Sequence, residues 1–138
     1  MATADKKRNT GCPIAFALDT FGDRWSLMII RDIALRGSRT YGEFRDTPEK
    51  IATNVLADRL RELEADGIIQ KSRDPENQRK NIYALTEKGS DLIPVVLEMV
   101  RWSAKYDRNT KVGDKFLNKI KRGRDGLAME IRARLKDR

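Results

Sequence analysis

Apolar and polar positions follow a helical spacing over residues 53–66. The apolar positions are Leu56, Leu60 and Leu63. The opposite side of the same helix carries Asn54, Asp58, Arg61 and Ala65. We expect Thr53 to cap the first turn and Gly67 to end the helix in the left-handed conformation. The pattern therefore predicts an amphipathic helix with one face in a core and the other free to contact a partner.

Two extended runs follow this helix and predict a β-hairpin. Ile68 begins the first run, Pro75 breaks it, and Ile82 lies in the second. We expect residues 75–80 to form the tip, because they are too polar to bury. The basic end of this tip, which suits contact with phosphate groups, consists of Arg79 and Lys80.

Two helices are predicted ahead of this unit. Cys12 takes the N-cap position of the first, with Pro13 in its first turn, and the helix ends near Gly22. Asp23 caps the second helix, residues 24–36, which is too apolar on all sides for a surface position. We expect this second helix to form the centre of the domain.

A short helix is predicted over residues 41–46, with Thr40 and Glu43 forming a capping box at its start. A short loop then leads to the helix at residues 53–66. The order of helix, turn and amphipathic helix predicts a helix-turn-helix, and the hairpin behind it makes a winged form. The predicted fold class is mainly α with a small β-hairpin, flanked by dimerisation helices.

A long helix is predicted over residues 87–106, capped by Thr86 and interrupted near residues 91–93 because Pro94 removes a backbone donor. It carries more apolar surface than a small core can cover, which predicts a symmetric homodimer. Further along, Leu127, Ile131 and Leu135 share one helical face. Because Gly123 and Gly126 interrupt the segment, it predicts two short amphipathic helices. Two roles stay open for these helices. Either they pack on the dimer core or lie solvated, or they bind DNA phosphates.

The chain length of 138 residues suits one domain with an extension. We expect a flexible arm at residues 1–11, a DNA-binding and dimerisation unit at residues 12–106, and a basic helical extension at residues 107–138. The net charge is +8, but residues 107–138 hold 11 Lys and Arg against 5 Asp and Glu. Most of the excess charge therefore belongs to the extension and does not argue that the helix and hairpin bind DNA.

The chain contains no histidine and a single cysteine, Cys12. This excludes the usual zinc sites, Cys/His nucleophile pairs and intramolecular disulfides. We expect no enzymatic activity, no metal and no cofactor. No stretch approaches the roughly 20 apolar residues that span a bilayer, and the first residues lack the apolar centre of a signal peptide. A cytoplasmic protein that does not enter a membrane is expected.

Four segments together resemble the HxlR-type winged-helix transcriptional regulators of bacteria: CPIAFALDTFGDRWSLMIIRDI, YGEFR, NVLADRLRELEADGII and YALTEKG. The resemblance covers roughly residues 12–106. It implies a DNA-binding regulator, with repression as the expected sign, that dimerises through the first helix and the long helix after the hairpin. Two-fold symmetry implies a pseudo-palindromic operator with half-sites about 34 to 36 Å apart.

The resemblance also implies which residues meet double-stranded DNA. The face that family members place in the major groove carries Thr53, Asn54, Ala57, Asp58 and Arg61. The wing residues are Gln78, Arg79 and Lys80. Phosphate contacts through hydroxyls and backbone amides are expected from Thr40 and Tyr41.

Side-chain chemistry suggests a role for each polar residue on that helical face. Asn54 suits adenine, and Arg61 suits guanine or a phosphate. Asp58 suits cytosine N4, or it merely orients Arg61. Arg59 lies nearer the core side and is expected to pair with a carboxylate.

Some members of this family sense oxidants or electrophiles through the cysteine that matches Cys12, by an intersubunit disulfide or an adduct. A helix N-terminus favours thiolates, and Lys6, Lys7 and Arg8 would add to the positive field if they lie near. The alternative is an inert apolar residue at a dimer interface.

Two further alternatives remain open. A small-molecule effector between the first and long helices would be lined by Phe16, Phe21, Trp25, Trp102 and Tyr106, unless these aromatics simply fill the core and the dimer interface. The runner-up function is a winged-helix module that binds proteins and has no specific DNA recognition.

Overall fold

The computed structural model describes residues 10–137, which form seven helices and one two-stranded antiparallel sheet. The elements in chain order are α1 (Pro13–Phe21), α2 (Arg24–Arg36), α3 (Tyr41–Arg45), α4 (Thr53–Ala65), β1 (Ile69–Asp74), β2 (Asn77–Leu85), α5 (Glu87–Ser90), α6 (Ile93–Tyr106) and α7 (Asp114–Lys136). The predicted fold class is confirmed. Most of the expected N-terminal arm, including Lys6, Lys7 and Arg8, lies outside the described residues.

Local capping residues set the boundaries of several helices. The Asp23 carboxylate accepts hydrogen bonds from the Trp25 and Ser26 amides, each at 3.0 Å, and starts α2. Thr40 and Glu43 form the predicted capping box of α3. Gly67, with φ of +74°, takes the left-handed conformation behind α4. These predictions are confirmed because each depends on residues close together in sequence.

The predicted cap of α4 is wrong. Ala52 occupies the N-cap position without a side-chain hydrogen bond, and Thr53 is already the first helical residue. The chain enters α4 through Ile51, which is buried in the core, and the Tyr41 hydroxyl donates to the Thr53 carbonyl at 3.2 Å. Tertiary contacts therefore fix this helix start in place of a side-chain cap.

One hydrophobic core holds the helix-turn-helix together. It joins α2, α3, α4 and the base of the hairpin, and its buried members are Ile29, Ile30, Ile33, Phe44, Ile51, Leu56, Leu60, Leu63, Ile68, Ile69 and Val96. The three leucines predicted for the inner face of α4 all belong to it. The central position predicted for α2 is also confirmed, since α2 contributes three of these residues.

A second core joins α6 to the C-terminal extension. Its buried members are Ala34, Ile93, Leu97, Ile120, Leu127, Ala128 and Ile131. The restart at Pro94 is confirmed, because α5 ends at Ser90 and α6 begins at Ile93. The two predicted C-terminal helices are the arms of α7, which breaks at Gly123. Their apolar stripe packs on α6 and α2 of the same chain, so it is neither solvated nor dependent on a dimer core.

The hairpin, called the wing below, pairs Ile69 with Leu85 at its base and Asp74 with Asn77 at its end. The predicted tip over residues 75–80 is too long. The Asp74 carboxylate accepts from the Glu76 amide at 2.9 Å and closes the turn early. The second strand therefore begins at Asn77. Among residues 10–137, no helix is both long and apolar enough to cross a membrane.

Candidate nucleic-acid interface

The outer face of α4 is polar and accessible. Thr53, Asn54 and Arg61 are exposed, whereas Ala57 and Asp58 are half-buried. The side chain of Arg61 is 71% exposed. With its leucines in the core, α4 presents the remaining face outward, as an element that enters a groove must.

Asp58 organises the charges on this face. Its Oδ1 lies 3.2 Å from Nη2 of Arg61, and its Oδ2 accepts a hydrogen bond from Arg59. The Arg59 hydrogen bond and the nearby positive charges hold the pKa of Asp58 below its usual value. Because both carboxylate oxygens are engaged, the geometry favours Asp58 as the residue that orients Arg61 over Asp58 as a reader of cytosine.

Arg59 ties the recognition surface to the scaffold. Besides Asp58, its guanidinium lies 3.5 Å from Oδ1 of Asp23, the residue that caps α2. The predicted pairing of Arg59 with a carboxylate is confirmed. A continuous chain of charged groups thus runs from the start of α2 to Arg61.

The start of α3 offers fewer contacts than predicted. The Thr40 amide donates to Oε1 of Glu43 at 3.1 Å, and the Thr40 hydroxyl oxygen accepts from the Glu43 amide at 3.3 Å. The Thr40 amide is therefore already engaged within the chain, and the phosphate contacts expected from Thr40 and Tyr41 stay a prediction. The hydroxyl hydrogen of Thr40 remains available, whereas the Tyr41 hydroxyl donates its hydrogen to the Thr53 carbonyl. The Tyr83 amide donates to the Arg39 carbonyl at 2.8 Å and fixes the wing beside this point.

The basic wing residues lie in a bulge of β2. Arg73 pairs with Asn81 and Asp74 with Asn77, so the register skips the residues between them, namely Gln78, Arg79 and Lys80. All three are exposed. Arg73 donates from Nη1 to the Gln78 carbonyl at 2.7 Å, and this hydrogen bond stabilises the bulge. The sequence pattern did not single out Arg73, because its strand position alone does not reveal this contact.

A contact between α2 and the loop before α4 also positions α4. Arg31 of α2 donates to both carboxylate oxygens of Glu49, at 3.0 and 3.1 Å, in the loop that leads to α4. It also binds Asp32, which is 3% exposed. Burial raises the pKa of Asp32 despite these cations, while the Arg31 hydrogen bond lowers that of Glu49. Sequence reasoning missed this pair, since its members stand 18 positions apart.

Cys12 caps α1 as predicted, and its Sγ accepts from the Ala15 amide at 3.5 Å. It is exposed and is the one cysteine of the chain. No residue of α1 is buried in the single chain. The thiol is therefore accessible at the edge of the molecule, and its role in sensing stays a prediction.

Within residues 10–137, most of the aromatic residues expected around an effector are open to solvent in the single chain. Phe16, Trp102 and Tyr106 are 54%, 65% and 64% exposed, and Trp25 packs against the first core. Together with their apolar neighbours, the exposed ones form a surface on α1 and α6.

A helix-turn-helix with an outward polar second helix and a basic two-stranded wing defines the winged helix-turn-helix class of DNA-binding proteins. A family model described as "HxlR-like helix-turn-helix" matches residues 20–111, and the chain belongs to this family of transcriptional regulators. The relatives are transcriptional regulators as well, and the protein is not an enzyme. Residues 112–137, and with them α7, lie beyond the family match.

Three relatives illustrate the similarity. The HTH-type transcriptional regulator YdeP of Bacillus subtilis is 38% identical over 103 residues, which are 74% of this chain and 80% of that protein. The reduced form of the regulator YodB from B. subtilis has a TM-score of 0.57 and 33% identity, covering 72% of this chain and 98% of that one. The redox regulator HypR in its oxidised form has a TM-score of 0.61 and 36% identity, covering 73% of this chain and 100% of that one. YodB has also been solved diamide-treated and quinone-bound.

Proposed function

We propose that the protein regulates transcription by binding double-stranded DNA as a homodimer on a pseudo-palindromic operator, with repression as the expected sign. The observation that carries the proposal is the exposed Arg61 on the outer face of α4, held in place by Asp58. We assign DNA binding and dimerisation to residues 12–106 and treat residues 107–138 as an extension.

The proposed contacts divide by chemistry. On α4, Asn54 suits adenine and Arg61 suits guanine, while Thr53 and Ala57 fit closely against the groove wall. On the wing, Gln78, Arg79 and Lys80 reach phosphates from their bulge, and the Thr40 hydroxyl and the Tyr41 amide add contacts. The bulge supports this role, because residues outside the strand register are free to follow a phosphate backbone.

The proposed dimer rests on the exposed apolar residues of α1 and α6, together called the α1/α6 patch below. Its exposed members are Ile14, Phe16, Leu18, Val95, Met99, Trp102 and Tyr106. The rings of Trp102 and Tyr106 pack against each other with centroids 5.3 Å apart, although both are largely exposed. Soluble proteins rarely leave so many large apolar side chains of neighbouring helix turns in water, so a second copy is the proposed cover.

Footprinting and equilibrium binding test the DNA proposal together. We expect the purified protein to protect a pseudo-palindrome in intergenic DNA beside its own gene, with half-sites about one helical turn apart. We also expect affinity to fall steeply with salt concentration. A protein-association module, the runner-up function, would give no footprint and no salt slope, and that outcome would exclude specific DNA recognition.

A redox response through Cys12 is a second proposal, supported by the exposed thiol and by the relatives HypR and YodB. In the proposed dimer, two Cys12 thiols give two protons and two electrons to an oxidant such as diamide, and one intersubunit disulfide forms. The alternative is an inert interface residue. Non-reducing gels and operator binding, with and without diamide and with Cys12→Ser as control, separate the two. No change in either readout would end the sensing proposal.

A further inference from the structure

A cavity of about 550 Å³ lies between α2, α6 and the connector, which is the segment of residues 107–113 between α6 and α7. This volume falls within the range of about 300–1,000 Å³ that is typical of small-molecule sites. Its apolar walls include Leu27, Met28, Leu35, Val100, Val112 and Phe116. The Thr110 hydroxyl donates to the Ser103 carbonyl at 3.1 Å and holds the connector in place as one wall.

The charged residues that line this cavity are all cations: Arg31, Arg36 and Lys111. Arg31 and Arg36 share the buried Asp32, at 2.6 and 3.6 Å. Among the ion pairs of residues 10–137, none involves Lys111. An apolar cavity with an unmatched cation complements a molecule with an apolar body and one negative charge.

We propose that this cavity binds a small organic acid with an apolar body, whose carboxylate lies at Lys111 and the neighbouring arginines. The site is distinct from Cys12 and from the DNA-facing residues. Part of its wall, Val112 and Phe116, lies beyond the end of the family match at residue 111. The site therefore depends in part on a segment that lies outside the family match.

Arg31 connects the cavity to the recognition helix. The same guanidinium that lines the cavity holds Glu49 in the loop before α4. A bound carboxylate competes with Glu49 for Arg31, so the loop loses its anchor and α4 loses its fixed approach. Ligand binding then lowers operator affinity. This coupling step rests on the proposed DNA-binding function, whereas ligand binding itself does not.

Calorimetry on the full chain tests the site with 2-naphthoate as probe and 2-naphthamide as its neutral analogue of the same shape. We expect one naphthoate per chain and about tenfold weaker binding of the amide, because the amide lacks the charge-assisted contact. Lys111→Gln should weaken naphthoate binding severalfold. Lys115→Gln, which removes an exposed lysine outside the cavity, should leave it unchanged.

Several results of these binding experiments would overturn the proposed site. Absence of naphthoate binding, equal affinity for acid and amide, or equal behaviour of the two lysine variants would overturn the site. Binding that appears only in a monomeric Trp102→Glu variant would show that a second copy occupies the cavity, and would also overturn it.

The coupling has its own test. We expect naphthoate to lower operator affinity of the unmodified protein, and to lower it less in Glu49→Gln, where the Arg31 anchor is already weakened. Naphthoate binding with unchanged operator affinity would overturn the coupling and leave the site standing. A chain that binds naphthoate but no DNA would instead refute the proposed function.

Discussion

Arg61 is held by a chain of side chains that begins at Asp23, the residue that caps α2. Arg59 binds Asp23 and Asp58, and Asp58 binds Arg61. Such an arrangement restricts the rotamers of a long, exposed side chain before any DNA arrives, which lowers the entropy cost of binding. The base-reading role proposed for Arg61 therefore depends on the network and not on Arg61 alone.

Replacing Arg61 should remove specific contacts, whereas replacing a wing cation should remove general ones. We expect Arg61→Ala to weaken operator binding by about 1–3 kcal/mol and random duplex much less. We expect Lys80→Ala to weaken both DNAs alike and to lower the salt slope by about one. Fluorescence anisotropy at several salt concentrations measures both, with Lys119→Ala on α7 as control. Equal loss on both DNAs for Arg61→Ala would refute its base-reading role.

Acid stability should report the carboxylates held by arginines. The pKa values of Glu49 and Asp58 are lowered by their arginine hydrogen bonds, so the folded state binds fewer protons than the unfolded chain. The stability from these contacts is present above the unfolded pKa of about 4 and is lost as pH falls through the lower folded values. Asp32, whose pKa is raised by burial, acts in the opposite direction.

Because the chain contains no histidine, no such side chain titrates near neutrality. We expect the free energy of unfolding in urea to stay level from about pH 6 to 8 and to fall below about pH 5. Glu49→Gln should reduce the acid loss, whereas Glu76→Gln on the exposed turn should not. A step in stability between pH 6 and 7 would contradict this assignment.

Sequence predicted the residues of local caps well, and long-range pairs poorly. Asp23, Thr40 and Gly67 act on neighbours within about one turn, so their spacing is informative by itself. The contact between Arg31 and Glu49 depends on how α2 meets the loop before α4. This packing of α2 against the loop is not apparent from the spacing of nearby residues. The sequence therefore did not predict the residues that position α4.

At the scale of elements, α3 and α4 start in different ways, and their stabilities should differ accordingly. Thr40 caps α3, so Thr40→Ala should lower the unfolding free energy by about 1 kcal/mol. Thr53 caps nothing, so Thr53→Ala should change it by less than about 0.5 kcal/mol. Urea unfolding of the two variants compares them directly. Equal destabilisation would restore Thr53 as a cap.

In the wing and in α7, the sequence pattern predicts the elements but not the strand register or the packing partner. Two extended runs separated by Pro75 predicted both strands. The bulge follows from the early turn at Asp74, because register is decided by turn geometry more than by strand composition. Periodicity likewise identified the apolar stripe of α7. It did not identify α6 and α2 as the surface on which the stripe packs, because an amphipathic pattern specifies a face and not its partner.

At the scale of the whole molecule, the α1/α6 patch should control assembly. Light scattering after gel filtration should give about twice the chain mass of 15.9 kDa. Trp102→Glu should shift the protein to the monomer mass by placing a charge in a buried interface. Met129→Glu is the matched control, since Met129 is 69% exposed on α7, outside the patch. A monomer mass for the unmodified protein at micromolar concentration would refute the dimer.

Net charge is divided unevenly across the molecule. The basic excess of residues 107–138 lies on and beside α7, whereas the candidate DNA face contains paired charges of both signs. Most of the basic excess therefore lies away from the face that is proposed to read DNA, and net charge by itself does not identify that face.

The packing of α7 is matched by two buried apolar residues in the sequence of α6. Ile93 and Leu97 are both 0% exposed and belong to the core that α7 completes. A family member whose chain stops soon after the long helix would present these two positions to water or to a partner. Paired apolar residues there, four positions apart, therefore offer a way to recognise from sequence which regulators carry a docked terminal helix, and which have lost or never acquired one.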